Sequence, residues 1–221
     1  ESVDDARSRI QEITEHKPNW PGRHFHVIDP DRYHTDSGES IPAGIQQPAG
    51  QEAFFGTVAD HPDLADAMAR LLGGDVIRHT DQIGVKYGRL KENQGGCSYF
   101  HQDSYYWRME PQLGCNCWIP MSDVGKDAIA LAVMPGSHAS WGLADHESYY
   151  DDPPIGHETE GFRPFKRHRI KAELIDFSKE KLIPMQPGDG LFFTNFTWHR
   201  SEPNRTGSDM AFYAIAYNRA G

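Results

Sequence analysis

The part of the chain that follows residue 75 is a succession of short apolar segments, and this pattern constrains the fold most. Turn-forming residues such as Pro187-Gly188-Asp189-Gly190 separate the segments. Strands are predicted at residues 76–79, 83–87, 98–103, 114–120, 130–134, 182–186, 190–194 and 210–217. Many short strands with this spacing are typical of a β-sandwich or a jelly roll. The sequence therefore predicts a mainly β fold.

The N-terminal residues have a different pattern and predict helices outside the β core. Residues 62–72 are the clearest helix, with Pro62 in the first turn, Asp60 or His61 as the cap and Gly73-Gly74 at the end. Its predicted apolar face consists of Leu64, Met68, Leu71 and Leu72.

We expect one domain over residues 1–221, with a helical part at 1–75 and a jelly-roll core at 76–221. Residues 33–50 are rich in Gly, Pro and Ser and predict a loop. Residues 141–181 have weak periodicity and many charges, which predicts an insertion between strands. The basic segment 166–171 within it is interpreted as a solvated face or a flap over the site.

Charge and composition exclude several classes of partner. The net charge of -10 argues against a nucleic-acid surface, because phosphate binding needs clustered Lys and Arg. No apolar run approaches the roughly 20 residues that cross a bilayer, and the polar residues 1–11 show no secretory signal. Cys97, Cys115 and Cys117 make no disulfide framework and are interpreted as reduced thiols. We expect a cytoplasmic protein that acts on a small molecule.

A His-x-Asp motif lies in one of the predicted strands. Alternate residues of a strand face the same side, so His101 and Asp103 are expected to project together. Such pairs also occur by chance on surfaces, but the flanking aromatic segments 99–100 and 105–107 would wall a dry pocket. His199, which follows the predicted strand at 190–194 in the sequence, is the best candidate for a third ligand. Two imidazoles and one carboxylate are the ligand set of non-haem Fe(II) oxygenases.

The order and spacing of the motifs over residues 50–218 resemble the phytanoyl-CoA dioxygenase family. The resemblance depends on Phe100-His101-Gln102-Asp103-Ser104-Tyr105-Tyr106-Trp107, Met134-Pro135-Gly136-Ser137-His138, Pro187-Gly188-Asp189 and Trp198-His199-Arg200-Ser201 with Pro203-Asn204. It implies a double-stranded β-helix, the jelly-roll or cupin-like framework of Fe(II)- and 2-oxoglutarate-dependent oxygenases.

The resemblance also implies roles for individual residues. His101, Asp103 and His199 would bind Fe(II), with O2 as a co-substrate. Ser201 matches a position that contacts 2-oxoglutarate in relatives, and Trp107 matches a position that lines the substrate pocket.

Two further aromatic residues, Tyr105 and Trp118, are candidates for the substrate pocket because their rings could stack on a ligand. The same residues could also be ordinary core residues. The identity of the substrate is not encoded in any motif of the sequence.

One position departs from the family pattern. Members usually carry an Arg eleven residues after the second histidine, where it pairs with the far carboxylate of 2-oxoglutarate, but this chain has Met210. A thioether cannot replace a two-pronged cationic donor. Three explanations are open: another cation anchors the co-substrate, the co-substrate differs or is absent, or the domain has lost oxygenase activity. Lys86 is the first candidate for a substitute cation, and Arg200 and Arg205 are the others.

The expected enzyme is therefore a dioxygenase that uses Fe(II), 2-oxoglutarate and O2 to hydroxylate, desaturate or cyclise a small metabolite. A halogenase of this fold would have a small residue at the position of Asp103. The alternative is a metal-binding protein of the same fold that does not use 2-oxoglutarate, either another dioxygenase or an inactive ligand-binding relative.

Overall fold

A computed structural model of the protein describes residues 2–29, 40–88, 98–107, 114–151, 154–158 and 162–220. The helices in these ranges are α1 (Val3–His16), α2 (Ala53–Ala59) and α3 (Pro62–Leu72). The first strands are β1 (Phe25–Ile28), β2 (Pro42–Gln46), β3 (Val76–Lys86), β4 (Ser98–His101) and β5 (Gly114–Pro120). They are followed by β6 (Leu131–Val133), β7 (His146–Tyr149), β8 (Ile155–His157), β9 (Arg163–Pro164), β10 (Arg167–Ile170), β11 (Lys181–Ile183), β12 (Leu191–Thr194), β13 (His199–Ser201) and β14 (Met210–Arg219).

Two antiparallel sheets form the framework of the domain. The larger sheet has the strand order β12-β5-β14-β3-β2-β1-β8-β9, and the smaller one has the order β11-β6-β13-β4. Strands β10 and β7 form a separate two-stranded ribbon. The mainly β, double-stranded β-helix fold with helices outside the core is thereby confirmed.

The helices pack on one face of the large sheet. Ile10, Phe55 and Met68 are buried in one apolar cluster with sheet residues that include Cys117 and Tyr213. Burial of a side chain of this size contributes about 1.5–3 kcal/mol. Because side chains alternate along a strand, the opposite face of the sheet is left to line a cavity.

The helix α3 has the bounds that the sequence predicts. Pro62 lies in its first turn, the His61 side chain caps it, and Gly73 ends it with a φ of 73°, which favours glycine. The predicted apolar face is wrong at Leu71, which is 60% exposed. The face that contacts the core is centred on the buried Met68, and Leu71 lies to one side of it.

The N-terminal part contains strands as well as helices. The structure places β2 inside the segment 33–50 that was predicted as a loop, since β2 pairs with both β1 and β3. Residues 33–39 of that segment lie outside the described ranges. Its Pro and Gly content was a poor guide, because Pro42 occupies the first position of the strand, where proline is tolerated.

Other predicted bounds also need correction. The strands predicted at 76–79 and 83–87 are one strand, β3, because β14 pairs along its length. The insertion at 141–181 contains β7 to β10, and β8 joins the large sheet by pairing with β1. The three-residue strand β13 was not predicted, since so short a segment has no measurable periodicity.

Cys115 and Cys117 are buried free thiols, as the sequence predicts, and burial raises the pKa of each to about 12. Cys97 lies outside the described residues. Among the helices that the structure describes, none combines the length and the apolar character needed to span a membrane.

Candidate active site

Three side chains with metal-ligating atoms meet where β13 and the edge strand β4 of the smaller sheet face the cavity. His101 on β4 is the direct cross-strand partner of His199 on β13. The predicted strand 98–103 ends at His101, but Gln102 stays extended, with φ −119° and ψ 131°, before Asp103 begins a 3-10 turn. The ligand atoms of His101, Asp103 and His199 all lie within 4.8 Å of one another.

Backbone carbonyls orient the two imidazole rings. The Nδ1–H of His101 donates to the Tyr99 carbonyl at 2.8 Å, and that of His199 donates to the Thr197 carbonyl at 2.9 Å. Each Nε2 then presents its lone pair to the centre of the cluster, at 3.5 Å and 3.7 Å from Asp103 Oδ1 respectively. Such hydrogen bonds fix the tautomer of metal-binding histidines. Two Nε2 atoms and one carboxylate oxygen therefore converge on one point.

Burial and charge set the protonation of the cluster. Burial lowers the pKa of His199 to about 4 although Asp103 acts in the opposite direction, so this imidazole is neutral at neutral pH. Burial acts to raise the pKa of Asp103, but His199, His101 and the Asn116 amide outweigh it and lower this pKa below its usual value. A neutral imidazole and an ionised carboxylate are the forms that bind a metal.

Two residues that support the cluster were missed by sequence reasoning. The Asn116 amide donates to Asp103 Oδ2 and so leaves Oδ1 for the cluster. The Gln102 side chain is fully buried and donates to the carbonyls of Gly142 and Phe196 at 2.9 Å and 3.0 Å. A polar residue in the middle of an apolar strand, as Asn116 is in β5, was the available signal, because buried polar groups require partners.

A cavity of about 390 Å³ opens beside the cluster. This volume is in the range of small-molecule sites, roughly 300–1,000 Å³. Its walls come from both sheets, including the N-terminal strands of the larger one, and from the 141–181 insertion. The lining residues include His26, Gln46, Lys86, Tyr106, Trp107, Trp118, Asp151, Phe165, Arg167, Phe193 and Ser201.

The predicted substrate residues occupy different places. Trp107 and Trp118 line the cavity. Tyr105 is not among its lining residues, because its ring packs between His146 and His168 at centroid distances of 4.3 Å and 4.7 Å. The next residue, Tyr106, lines the cavity in its place.

The residues predicted to bind the co-substrate lie together. Lys86 and Ser201 both line the cavity, and the Lys86 ammonium donates to Ser201 Oγ at 2.5 Å and to the Glu202 carbonyl at 3.0 Å. Met210 is the direct cross-strand partner of Lys86, and it is buried in an apolar cluster that includes Trp118.

The other two cations considered from the sequence are engaged elsewhere. Arg200 forms ion pairs with Glu180 and Glu202, each at 2.7 Å, and Arg205 pairs with Asp127. Neither arginine is among the residues that line the cavity. Of the three candidates for a substitute cation, the structure thus brings only Lys86 to the cavity.

The chain is similar to known proteins in fold and in sequence. The crystal structure of EctD from S. alaskensis with 2-oxoglutarate and 5-hydroxyectoine has the same fold, with a TM-score of 0.69 and 16% identity over 98% of this chain and 67% of that chain. A methylphosphonate hydroxylase of Gimesia maris is 26% identical over 188 residues, which are 81% of this chain and 62% of the relative.

A 1-deoxypentalenic acid 11-beta-hydroxylase of Streptomyces exfoliatus is 27% identical over 154 residues, which are 66% of this chain and 49% of the relative. The chain thus spans less than two thirds of the length of both hydroxylases. The family model described as phytanoyl-CoA dioxygenase (PhyH) matches residues 1–210.

Proposed function

Because the chain belongs to the phytanoyl-CoA dioxygenase family, we propose that it is an Fe(II)- and 2-oxoglutarate-dependent oxygenase that oxidises a small molecule. The observation that carries the proposal is the convergence of His101, Asp103 and His199 at the wall of the cavity. Both relatives described above are named hydroxylases, which favours hydroxylation over desaturation or cyclisation.

The donor set fits Fe(II). Two imidazoles and one carboxylate on one side of a metal leave the remaining positions open for a co-substrate and O2. When bound, the metal and 2-oxoglutarate supply the activation of O2 and the oxidation of a C–H bond. The protein holds the ligands in place through the carbonyls behind each imidazole and the Asn116 amide behind the carboxylate. These partners act in the same way as the outer hydrogen bonds of other metal sites.

Lys86 is the proposed anchor for the far carboxylate of 2-oxoglutarate. Side chains that lie directly opposite each other on antiparallel strands have Cβ atoms about 4.5–5.5 Å apart and share one face. An ammonium at Lys86 therefore reaches the space that a guanidinium at position 210 would occupy. The Ser201 hydroxyl, in contact with Lys86, adds a second polar group. A hydrogen bond to a charged group contributes about 1.5–3 kcal/mol.

The proposal is tested by anaerobic titration of the protein with Fe(II) and then with 2-oxoglutarate. We expect saturable Fe(II) binding, a visible charge-transfer band when 2-oxoglutarate is added, and formation of succinate when O2 is admitted. Fe(II) binding without the band, or O2 consumption without succinate, would indicate a dioxygenase that does not use 2-oxoglutarate. Failure to bind Fe(II) would indicate an inactive ligand-binding relative. Met210 is the observation that keeps these alternatives open.

A further inference from the structure

The wall of the cavity contains an ion pair that the proposed oxygenation does not use. Arg167 on β10 contacts Asp151 through a single nitrogen, Nη1, which lies 3.1 Å and 3.3 Å from the two carboxylate oxygens. Both residues line the cavity. Asp151 is nearly buried, with 8% of its side chain exposed, whereas 27% of the Arg167 side chain is exposed.

Among the described residues, little of the hydrogen-bonding capacity of Arg167 is used. A guanidinium carries five N–H donors in a rigid fork, yet within the described ranges the hydrogen bonds of Arg167 go to Asp151 alone and come from Nη1. The guanidinium carbon also lies 5.7 Å from the centre of the Tyr149 ring. Arg167 lines the cavity and 27% of its side chain is exposed, so Nε and Nη2 are the donors left for a ligand. Two adjacent N–H donors of a guanidinium, here on Nε and Nη2, can bind both oxygens of a carboxylate or phosphate group.

Tyr106 connects the Arg167 wall with the metal cluster. Its ring lies 6.3 Å from the His101 ring, and its hydroxyl accepts a hydrogen bond from the backbone N–H of His168, next to Arg167, at 2.8 Å. Tyr106 thus contacts both the metal cluster and the backbone next to Arg167.

The carboxylates that line the cavity have partners of their own. Asp151 is paired with Arg167 through Nη1. Asp103 is assigned to the metal. The buried carboxylate of Asp81 is already engaged by Tyr213, Arg78 and the Ala49 N–H. Among the described residues that line the cavity, Asp151 is therefore the one carboxylate that is hydrogen-bonded to Arg167, and it uses Nη1 alone.

We propose that Arg167 forms the anion-binding end of the substrate site, so that the substrate is a small molecule with a carboxylate, phosphonate or phosphate group. The proposal rests on the proposed function for the identity of the reaction, but not for the binding itself. The anion would occupy the Nε–Nη2 edge of Arg167, and Asp151 would hold the guanidinium in place through Nη1. The reacting carbon would lie at the opposite end of the ligand, toward His101 and His199.

The test measures binding of three probes with one ring and different head groups: benzoate, phenylphosphonate and the neutral benzamide. Isothermal titration calorimetry is performed on the full chain with saturating Mn(II) and 2-oxoglutarate, and again without them. For the unsubstituted protein we expect at least one acid to bind about tenfold or more tightly than benzamide, as for a charged hydrogen-bonded pair. The acid that binds more tightly distinguishes a carboxylate substrate from a phosphonate or phosphate.

Two variants separate recognition of the acid from effects on structure. The double variant Arg167→Gln/Asp151→Asn removes both charges, so no unpaired buried charge opposes folding, and it should abolish the preference for acids. Arg169→Gln is the matched control, because Arg169 lies on the same strand and pairs with Glu147 but does not line the cavity. It should keep the preference.

Several outcomes would overturn the proposal. They are equal binding of benzamide and both acids, no saturable binding of either acid, or loss of the preference in Arg169→Gln. The proposal would also fail if the double variant weakened 2-oxoglutarate binding and left the acids unaffected, since Arg167 would then belong to the co-substrate site. The titration with Fe(II) and 2-oxoglutarate tests the proposed function independently. If Fe(II) does not bind but the metal-free protein still prefers the acids over benzamide, the proposed function is overturned and the anion-binding role of Arg167 is retained.

Discussion

The two ends of the cavity are built from different parts of the chain. At the metal end, His101 and His199 are cross-strand neighbours in the smaller sheet, and backbone carbonyls two residues away orient both rings. At the Arg167 end, the wall comes from the β7–β10 ribbon of the insertion, which side-chain contacts hold in place. Core strands thus determine the position of the ligands, whereas an inserted segment supplies the proposed recognition wall. The insertion is also tied to the ligand strand, because Gln102 donates to the Gly142 carbonyl and accepts from the Ala144 N–H.

The largest effect is expected at the metal end. His199→Ala removes one of three ligands, so Fe(II) affinity and turnover should fall by at least about a hundredfold, more than for loss of an outer partner. The thermal unfolding transition of the metal-free protein should change little. His138→Ala is the control, since His138 contacts Trp141 rather than the cluster. Retained turnover in His199→Ala would remove it from the ligand set.

The next effect concerns the co-substrate. Lys86→Ala should raise the half-saturation concentration for 2-oxoglutarate about ten- to hundredfold, as expected for loss of a charged hydrogen bond. Adding Met210→Arg to Lys86→Ala should restore much of the affinity, because the two positions are directly opposite on β14 and β3. The charge-transfer band provides the readout. An unchanged half-saturation concentration in Lys86→Ala would exclude it as the anchor.

A smaller effect is expected from the amide behind the carboxylate. Asn116→Ala leaves Asp103 Oδ2 without its donor, so metal affinity should fall about tenfold. Cys117→Ala is the control because it changes the same strand on the face that packs against the helices. Equal loss of Mn(II) affinity in both variants would attribute the effect to packing of β5 rather than to the hydrogen bond.

The smallest effect is expected at Tyr106, which contacts both His101 in the metal cluster and His168 next to Arg167. Tyr106→Phe removes the hydroxyl that bonds to both the N–H and the carbonyl of His168. Loss of this hydrogen bond should reduce the binding free energy of the acid probes by about 1 kcal/mol, which is roughly fivefold in affinity. The affinities for Fe(II) and 2-oxoglutarate should stay unchanged. Exposed Tyr150 provides the control substitution, Tyr150→Phe. A change in metal affinity would show that the two ends are not independent.

The difference between the two ends also explains which residues could be predicted. The pair His101 and Asp103 follows from the two-residue period of extended backbone, and the bounds of α3 follow from Pro62 and Gly73. The strand β2 was missed because its Pro and Gly content is typical of loops. Its strand conformation comes from pairing with β1 and β3, which local sequence does not encode.

By itself, the sequence determined the mainly β fold class, the outer helices and a candidate ligand set, because these depend on local periodicity and on the chemistry of a few side chains. Only the tertiary structure decided that Lys86 rather than Arg200 or Arg205 faces the cavity, that Tyr106 rather than Tyr105 lines it, and that Arg167 lies on its wall. These outcomes depend on strand register and on the path of the insertion. Both are set by contacts between residues far apart in the chain, which no local pattern contains.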